Sequence, residues 1–235
     1  MKKWTLVTFL GLSFASLSSA QTPIAQWTFE INTPADATDS PTISGIAADF
    51  GTGTASGVHA GALTDWSTPS GNGSANSLSV NTWAVGDYFQ FRTSTVGFSG
   101  IFLSFDQTSS GTGPRDFDLR YSTDGINFTP FATYSVLANA APNPVWNTST
   151  ASGLYTMTYD LSAVTALDNA TDVYFRIGNT STVSANGGTV AAACTDRLDN
   201  FMVAQIPEPS TYALLGLGAL ALALAQHRRQ KTCPA

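Results

Sequence analysis

Asp116-Phe117-Asp118-Leu119-Arg120-Tyr121-Ser122 alternates without a break. Phe117, Leu119 and Tyr121 fall on one side, and Asp116, Asp118, Arg120 and Ser122 on the other. A period of two marks a strand buried on one face only. Asp124-Gly125 supplies a turn just beyond it and Ile126 to Val136 returns, so the segment predicts an antiparallel hairpin. Working outward, Asp87–Thr93 and Gly100–Asp106 read as strands before the hairpin, and Leu154–Leu161, Asp172–Gly178 and Arg197–Val203 as strands after it. Ile24–Glu30 opens the series with large residues two apart. Residues 32–81 are rich in Gly, Ser, Thr, Asn and Asp and read as a long loop region with short strands. Leu161–Ala170 has room for one short helical turn, and no long amphipathic helix is present. The expectation is an all-β chain: an antiparallel, jelly-roll-like β-sandwich over residues 21–205, with Phe117, Leu119, Tyr121, Phe175 and Ile177 facing inward.

The two ends of the chain have a different character. Lys2 and Lys3, the mostly apolar Trp4–Leu17 and the small residues Ser18-Ser19-Ala20 make a secretory signal peptide over residues 1–20, with a mature start at Gln21. At the other end stand Pro207-Glu208-Pro209, an uncharged apolar run from Tyr212 to Ala225, and the basic residues Arg228, Arg229 and Lys231. The prolines break regular structure. The run is about 21 Å of helix at ~1.5 Å per residue, against a bilayer core of ~30 Å. Ser210, Thr211 and Gln226 extend it, and the flanking arginines can reach outward. One C-terminal transmembrane helix is therefore expected, with the basic flank on the cytoplasmic side.

That order of parts resembles the PEP-CTERM sorting signal of Gram-negative bacteria over residues 206–231, carried by Pro207, Glu208 and Pro209, the apolar span, and Arg228 and Arg229. The resemblance implies recognition by an exosortase, a membrane-embedded cysteine transpeptidase, with processing near Pro-Glu-Pro. Signal peptidase would act at the other end. The protein would be exported, anchored in the inner membrane as a precursor, then passed to the cell surface or extracellular matrix, in association with exopolysaccharide or biofilm. Residues 104–133, with Phe105-Asp106-Gln107, Pro114-Arg115-Asp116-Phe117 and Tyr121-Ser122-Thr123-Asp124-Gly125, are similar to jelly-roll modules of secreted bacterial proteins. Many carbohydrate-binding modules share that sandwich.

Between the two ends the body holds five arginines, no lysine and fifteen acidic residues, a net charge of −10. Such a body is no nucleic-acid binder by backbone electrostatics, repels anionic polymers in general and attracts divalent cations. Cys194 is the body's one cysteine and reads as a small buried or loop residue; Cys233 lies beyond the apolar run. His59 is the body's one histidine and reads as a solvated loop residue without a metal-binding partner. Gly51-Thr52-Gly53 lacks the lysine of a phosphate loop.

Trp66, Trp83 and Trp146 stand in polar, turn-rich stretches, which makes them candidates for flat glycan-binding platforms or for core residues. By the jelly-roll resemblance, Glu30 on the first strand and Asp199 on the last are candidate ligands of a structural Ca²⁺. The leading reading is a non-enzymatic glycan- or matrix-contact module. The alternative is a secreted polysaccharide hydrolase with a carboxylate pair such as Asp116/Asp118 or Asp196/Asp199 flanking a cleft.

Overall fold

The structure is a computed structural model that describes residues 21–206 and, within the apolar run, residues 215, 216, 218–220, 222 and 223. The strands in chain order are β1 (Thr22–Trp27), β2 (Thr42–Ala47), β3 (Phe50–Gly51), β4 (Gly53–Val58), β5 (Trp66–Ser67), β6 (Leu78–Asn81) and β7 (Tyr88–Thr93). There follow β8 (Ile101–Ser109), β9 (Asp116–Ser122), β10 (Thr129–Ser135), β11 (Thr156–Asp160), β12 (Val173–Asn179) and β13 (Thr195–Gln205). Short 3-10 turns at Gly153–Tyr155 and Thr165–Leu167 are the helical elements described in the body; the second falls inside the expected Leu161–Ala170 segment.

Two antiparallel sheets face each other. One has six strands in the order β10-β9-β12-β7-β4-β2. The other has seven: β11-β8-β13-β1-β3, with β6 beside β13 and β5 beside β6. The hairpin predicted from Asp116–Ser122 is β9 with β10, and its register shifts at Pro130, whose missing N–H suits an edge strand. Phe117, Leu119, Phe175 and Ile177 are fully buried between the sheets, while Tyr121 is half-buried against the same core. The centre is aromatic: Phe91 stacks on Phe201 at 3.7 Å between ring centroids, and Trp27 meets Phe91 edge-on at 5.1 Å. Each such side chain contributes about 1.5–3 kcal/mol by leaving water.

Strand β13 ties the seven-stranded sheet together. One side pairs with β8 along most of its length. The other side pairs with β6 through Thr195–Leu198 and then with β1 through Phe201–Gln205. The change of neighbour falls at Asp199 and Asn200, where the register with β8 shifts and Asn200 takes φ +52°. At the far end Thr22 pairs with Gln205, and the Ile206 N–H donates to the Gly100 carbonyl at 2.9 Å. Both ends of the sandwich thus leave from neighbouring strands.

The expected signal peptide, Pro207-Glu208-Pro209 and Arg228-Arg229 lie outside the described residues. Most of the expected span does too; its described residues, Leu215 and Leu220 among them, are helical. Among the described residues, no helix is long and apolar enough to cross a membrane.

Candidate functional site

The three tryptophans expected as candidate platforms are not on the surface. Trp66 is 1% exposed, Trp83 6% and Trp146 5%. Each indole N–H is spent inward, on the carbonyls of Ser40, Val80 and Ser70 respectively. Trp66 and Trp83 enclose His59, at 5.1 and 4.3 Å between ring centroids, and both also pack on Phe89. Trp146 meets Tyr155 edge-on. The polar loops around them fold over the sandwich and cover the indoles. His59, expected in solvent, is buried with them. Burial lowers its pKa to about 4 and outweighs Asp87, whose carboxylate is 3.4 Å from Nδ1; the imidazole is neutral at pH 7. Cys194 is buried, and burial pushes its thiol pKa up.

The two acidic pairs do not form a cleft. Asp116 is bonded to Arg115, Ser135 and Ser181, and its pKa is lowered to about 2, chiefly by Arg115. Asp118 pairs with Arg120 at 2.7 Å. Asp196 shares the inner face of β13 with Leu198 and accepts from Gln107 and Ser109, whereas strand alternation sends Asp199 to the other face. Asp199 does neighbour a second acid, Asp106, across β8. Burial first, and Asp106 in addition, push the Asp199 pKa up to about 6. All four oxygens of this pair are taken by protein donors. Asp199 accepts from the Asn72 and Asn200 N–H groups, the Ser74 hydroxyl and Asn200 Nδ2, and Asp106 from Thr156 Oγ1 and Asn200 Nδ2. The pair braces a loop.

Glu30 and Asp199 hold opposite ends of that loop, residues 70–77. The Asn76 N–H donates to Glu30 Oε1 at 2.7 Å, and the Ser74 hydroxyl donates to Asp199 Oδ2 at 2.7 Å. Ser74 Oγ, the Asn76 carbonyl and Asp199 Oδ2 crowd one point beside Gly71, where a Cβ would lie 2.0–2.3 Å from all three. One carboxylate, a hydroxyl and a carbonyl are hard oxygen donors of the kind calcium takes, while Glu30 is bonded to the Asn76 N–H. They fall short of the six to eight it takes, leaving the remainder to water. Among the described residues, no group of three or more His, Cys, Asp or Glu gathers in one place.

The surface with the strongest chemistry is the outer face of the six-stranded sheet. Alternation puts Tyr88, Gln90 and Arg92 of β7, Tyr174 and Arg176 of β12, and Asp118, Arg120 and Ser122 of β9 on this side. Register then aligns them: Gln90 with Arg176 and Arg176 with Arg120 in one row, Arg92 with Tyr174 and Tyr174 with Ser122 in the next. The Arg176 guanidinium lies between two rings, 3.8 Å from the Tyr88 centroid and 3.6 Å from that of Phe128. Its Nε and Nη2 both donate to Gln90 Oε1, at 3.2 and 2.7 Å. Desolvation between the rings, with Arg120 adding repulsion, lowers its pKa.

The β9–β10 turn delivers Phe128 to this face. Asp124 accepts from the Ile126 and Asn127 N–H groups and from Asn127 Nδ2, which hold it ionised well below the usual carboxylate range. Gly125 has φ +72°, and a Cβ there would meet the Tyr174 ring at 3.0 Å, so the turn needs glycine for both its conformation and its contact. Tyr88, Phe128, Tyr174, Gln90, Arg120 and Arg176 are half-buried, and Arg92 is exposed. Sequence reasoning missed this face. The available signal was the solvent-facing half of two recognised strands, which carries Tyr, Gln and Arg where Thr, Ser or Lys is ordinary.

Residues 205–229 match the PEP-CTERM protein-sorting motif. The chain is therefore an exported protein of the exosortase-sorted kind, as the order of its C-terminal parts implied. No curated protein matches it. Among solved structures it is similar to the CBM22-1 and GH10 modules of Clostridium thermocellum xylanase 10B, at 13% identity and TM-score 0.45, over 80% of this chain and 29% of that one. It is similar to the CBM22-1 xylan-binding domain of Paenibacillus barcinonensis Xyn10C, at 11% identity and TM-score 0.41, over 81% of this chain and 99% of that one. It is also similar to the K3 cleaved adhesin domain of Lys-gingipain from Porphyromonas gingivalis, at 17% identity and TM-score 0.39, over 78% and 98%.

Proposed function

We propose that this exported protein is a non-enzymatic module that contacts polysaccharide across the outer face of its six-stranded sheet. The observation that carries the reading is the Tyr88–Arg176–Phe128 stack with Tyr174 beside it: half-exposed rings set on sheet strands and edged by guanidinium and amide donors. Sugar rings present C–H faces that pack on aromatic rings and hydroxyls that take such donors. Strands hold these groups more firmly than loops would.

In this reading signal peptidase acts after Ala20 and an exosortase acts near Pro207-Glu208-Pro209. The inner-membrane precursor then becomes a surface or matrix protein in contact with exopolysaccharide. Nucleic acid is not a partner of so acidic a body. A structural calcium ion at Glu30 and Asp199 would replace the Asn76 N–H at Glu30 and the Ser74 O–H at Asp199, and would supply positive charge beside the buried Asp106/Asp199 pair.

Native affinity electrophoresis tests the reading. The detergent-solubilised full chain should be retarded in gels containing the producing cell's own exopolysaccharide, and Tyr88→Ala/Tyr174→Ala should run as in an empty gel. No retardation, or retardation unchanged in the double variant, would overturn it. Release of reducing sugar by the chain would favour the hydrolase instead.

A further inference from the structure

The ion pairs of the outer face are unevenly distributed. Arg92 is matched by Asp172 at 2.6 Å and Arg120 by Asp118 at 2.7 Å. Arg176 has no carboxylate partner among the described residues. Of the body's five arginines, Arg197 also lacks a carboxylate partner among the described residues, but Arg176 is the one on this face and is left to a neutral amide. Gln90 Oε1 takes Nε and Nη2 together, and no protein acceptor among the described residues takes Nη1. The two rings cover both flat sides of the guanidinium. What remains is its edge, which presents planar donors in the fork that matches a carboxylate.

Resting on the proposed glycan contact, we infer that the sheet face reads an acidic sugar. A uronate carboxylate takes the free edge of Arg176 while neighbouring sugar rings pack against the half-exposed edges of Tyr88, Phe128 and Tyr174. The net charge of the body does not forbid this. Charges farther away than about 8 Å are largely screened at physiological ionic strength, whereas a carboxylate in contact with a desolvated guanidinium is not. Gln90 contributes by being neutral: an acid at that position would close a third internal ion pair and leave no charge for a ligand. Arg120, next to Arg176 in register, adds positive potential although its Nε and Nη2 are engaged by Asp118.

The test is calorimetric titration of the detergent-solubilised full chain with hexagalacturonate and with the same hexamer fully methyl-esterified, which keeps the sugar and removes the charge. Hexagalacturonate should bind at least about tenfold tighter than its ester, as a charge-assisted bidentate pair requires. Arg176→Gln should erase that difference between acid and ester. Arg176→Lys, which keeps the charge without the planar fork, should fall between. Both variants should still unfold in one cooperative transition, since Arg176 lies outside the core, with Tm lower only by the loss of its ring stacking. Equal binding of acid and ester would overturn the acidic-sugar assignment while leaving glycan contact standing. No binding of either hexamer would also overturn the assignment, and glycan contact would then be judged by the electrophoresis. Tighter binding of sulfated or phosphorylated oligosaccharides than of the uronate would reassign the edge to those anions and overturn carboxylate recognition.

Discussion

Gly71→Ala is the substitution whose cost the geometry fixes most directly. The added methyl carbon would lie 2.0 Å from Ser74 Oγ, 2.3 Å from the Asn76 carbonyl oxygen and 2.3 Å from Asp199 Oδ2. Ser74 can rotate away. The Asn76 oxygen is backbone, in a residue whose N–H is bonded to Glu30, and Asp199 is held by four hydrogen bonds. Relief therefore requires residues 70–77 to shift by about an ångström, which breaks the Asn72 and Ser74 bonds to the carboxylate. Overpacking costs about 1–3 kcal/mol, and a lost bond to a charged group about 1.5–3 kcal/mol. With both bonds lost the sum is about 4–9 kcal/mol. At ~2–4 °C per kcal/mol for a domain of this size, Tm should fall by at least about 8 °C. The assay is thermal unfolding by circular dichroism, with Gly153→Ala as control. Nothing lies within 4 Å of a Cβ at Gly153, so that variant should melt like the wild type. A Gly71→Ala melting temperature within about 2 °C of the wild type would refute the loop-clamp reasoning.

Chelation should lower Tm if calcium bridges Glu30 and Asp199, because an ion at a hundred times its Kd stabilises by about 2.7 kcal/mol; an identical melting curve in chelator removes the ion. Asp116, with its pKa lowered to about 2, contributes stability that is present above the unfolded value of 3.8 and lost as pH falls towards 2. That contribution is about 2 kcal/mol at most, and Asp116→Asn should flatten acid unfolding in that window. The opposite result, an unchanged acid limb, would mean that the Arg115, Ser135 and Ser181 contacts do not hold in solution. Replacing Pro207-Glu208-Pro209 with three alanines should leave the precursor membrane-bound while the sandwich folds normally, since no core residue is touched. Mass measurement of released protein decides this, and release of the variant at the normal mass would falsify the sorting role of the triplet.

The hairpin at 116–135 was legible because every second residue there is apolar and the sandwich buries that side. Residues 32–81 were less so. Strands β3 and β5 have two residues each, and β4 is Gly53-Thr54-Ala55-Ser56-Gly57-Val58. Nothing local makes that a strand. Its glycines are small because Trp27 crosses one and Trp66 the other, with a Cβ at Gly53 or Gly57 falling within 2.1–2.8 Å of the indoles. The same tertiary fact explains the tryptophans. Turn-rich neighbours suggested exposure for Trp66, but its ring needs the space over Gly57, on a strand that the local sequence does not reveal.

The outer face was half legible, and the missing half was sheet order. Alternation alone turns Tyr88, Gln90 and Arg92 to one side of β7, and Tyr174 and Arg176 to one side of β12. Only the order β10-β9-β12-β7-β4-β2 makes these two rows adjacent and seats the β9–β10 turn over them. That order also separates binding from sorting. Both ends of the body leave from β1 and β13, which pair with each other in the seven-stranded sheet. The rings and arginines stand on the far side of the six-stranded one, across a core about 10 Å thick. Every described hydrogen bond and ring contact of the Tyr88–Arg176–Phe128 stack therefore comes from residues between the two ends. A precursor in the membrane and a released matrix protein would present the same surface to a polysaccharide chain. Processing would then change where contact is made, not its strength.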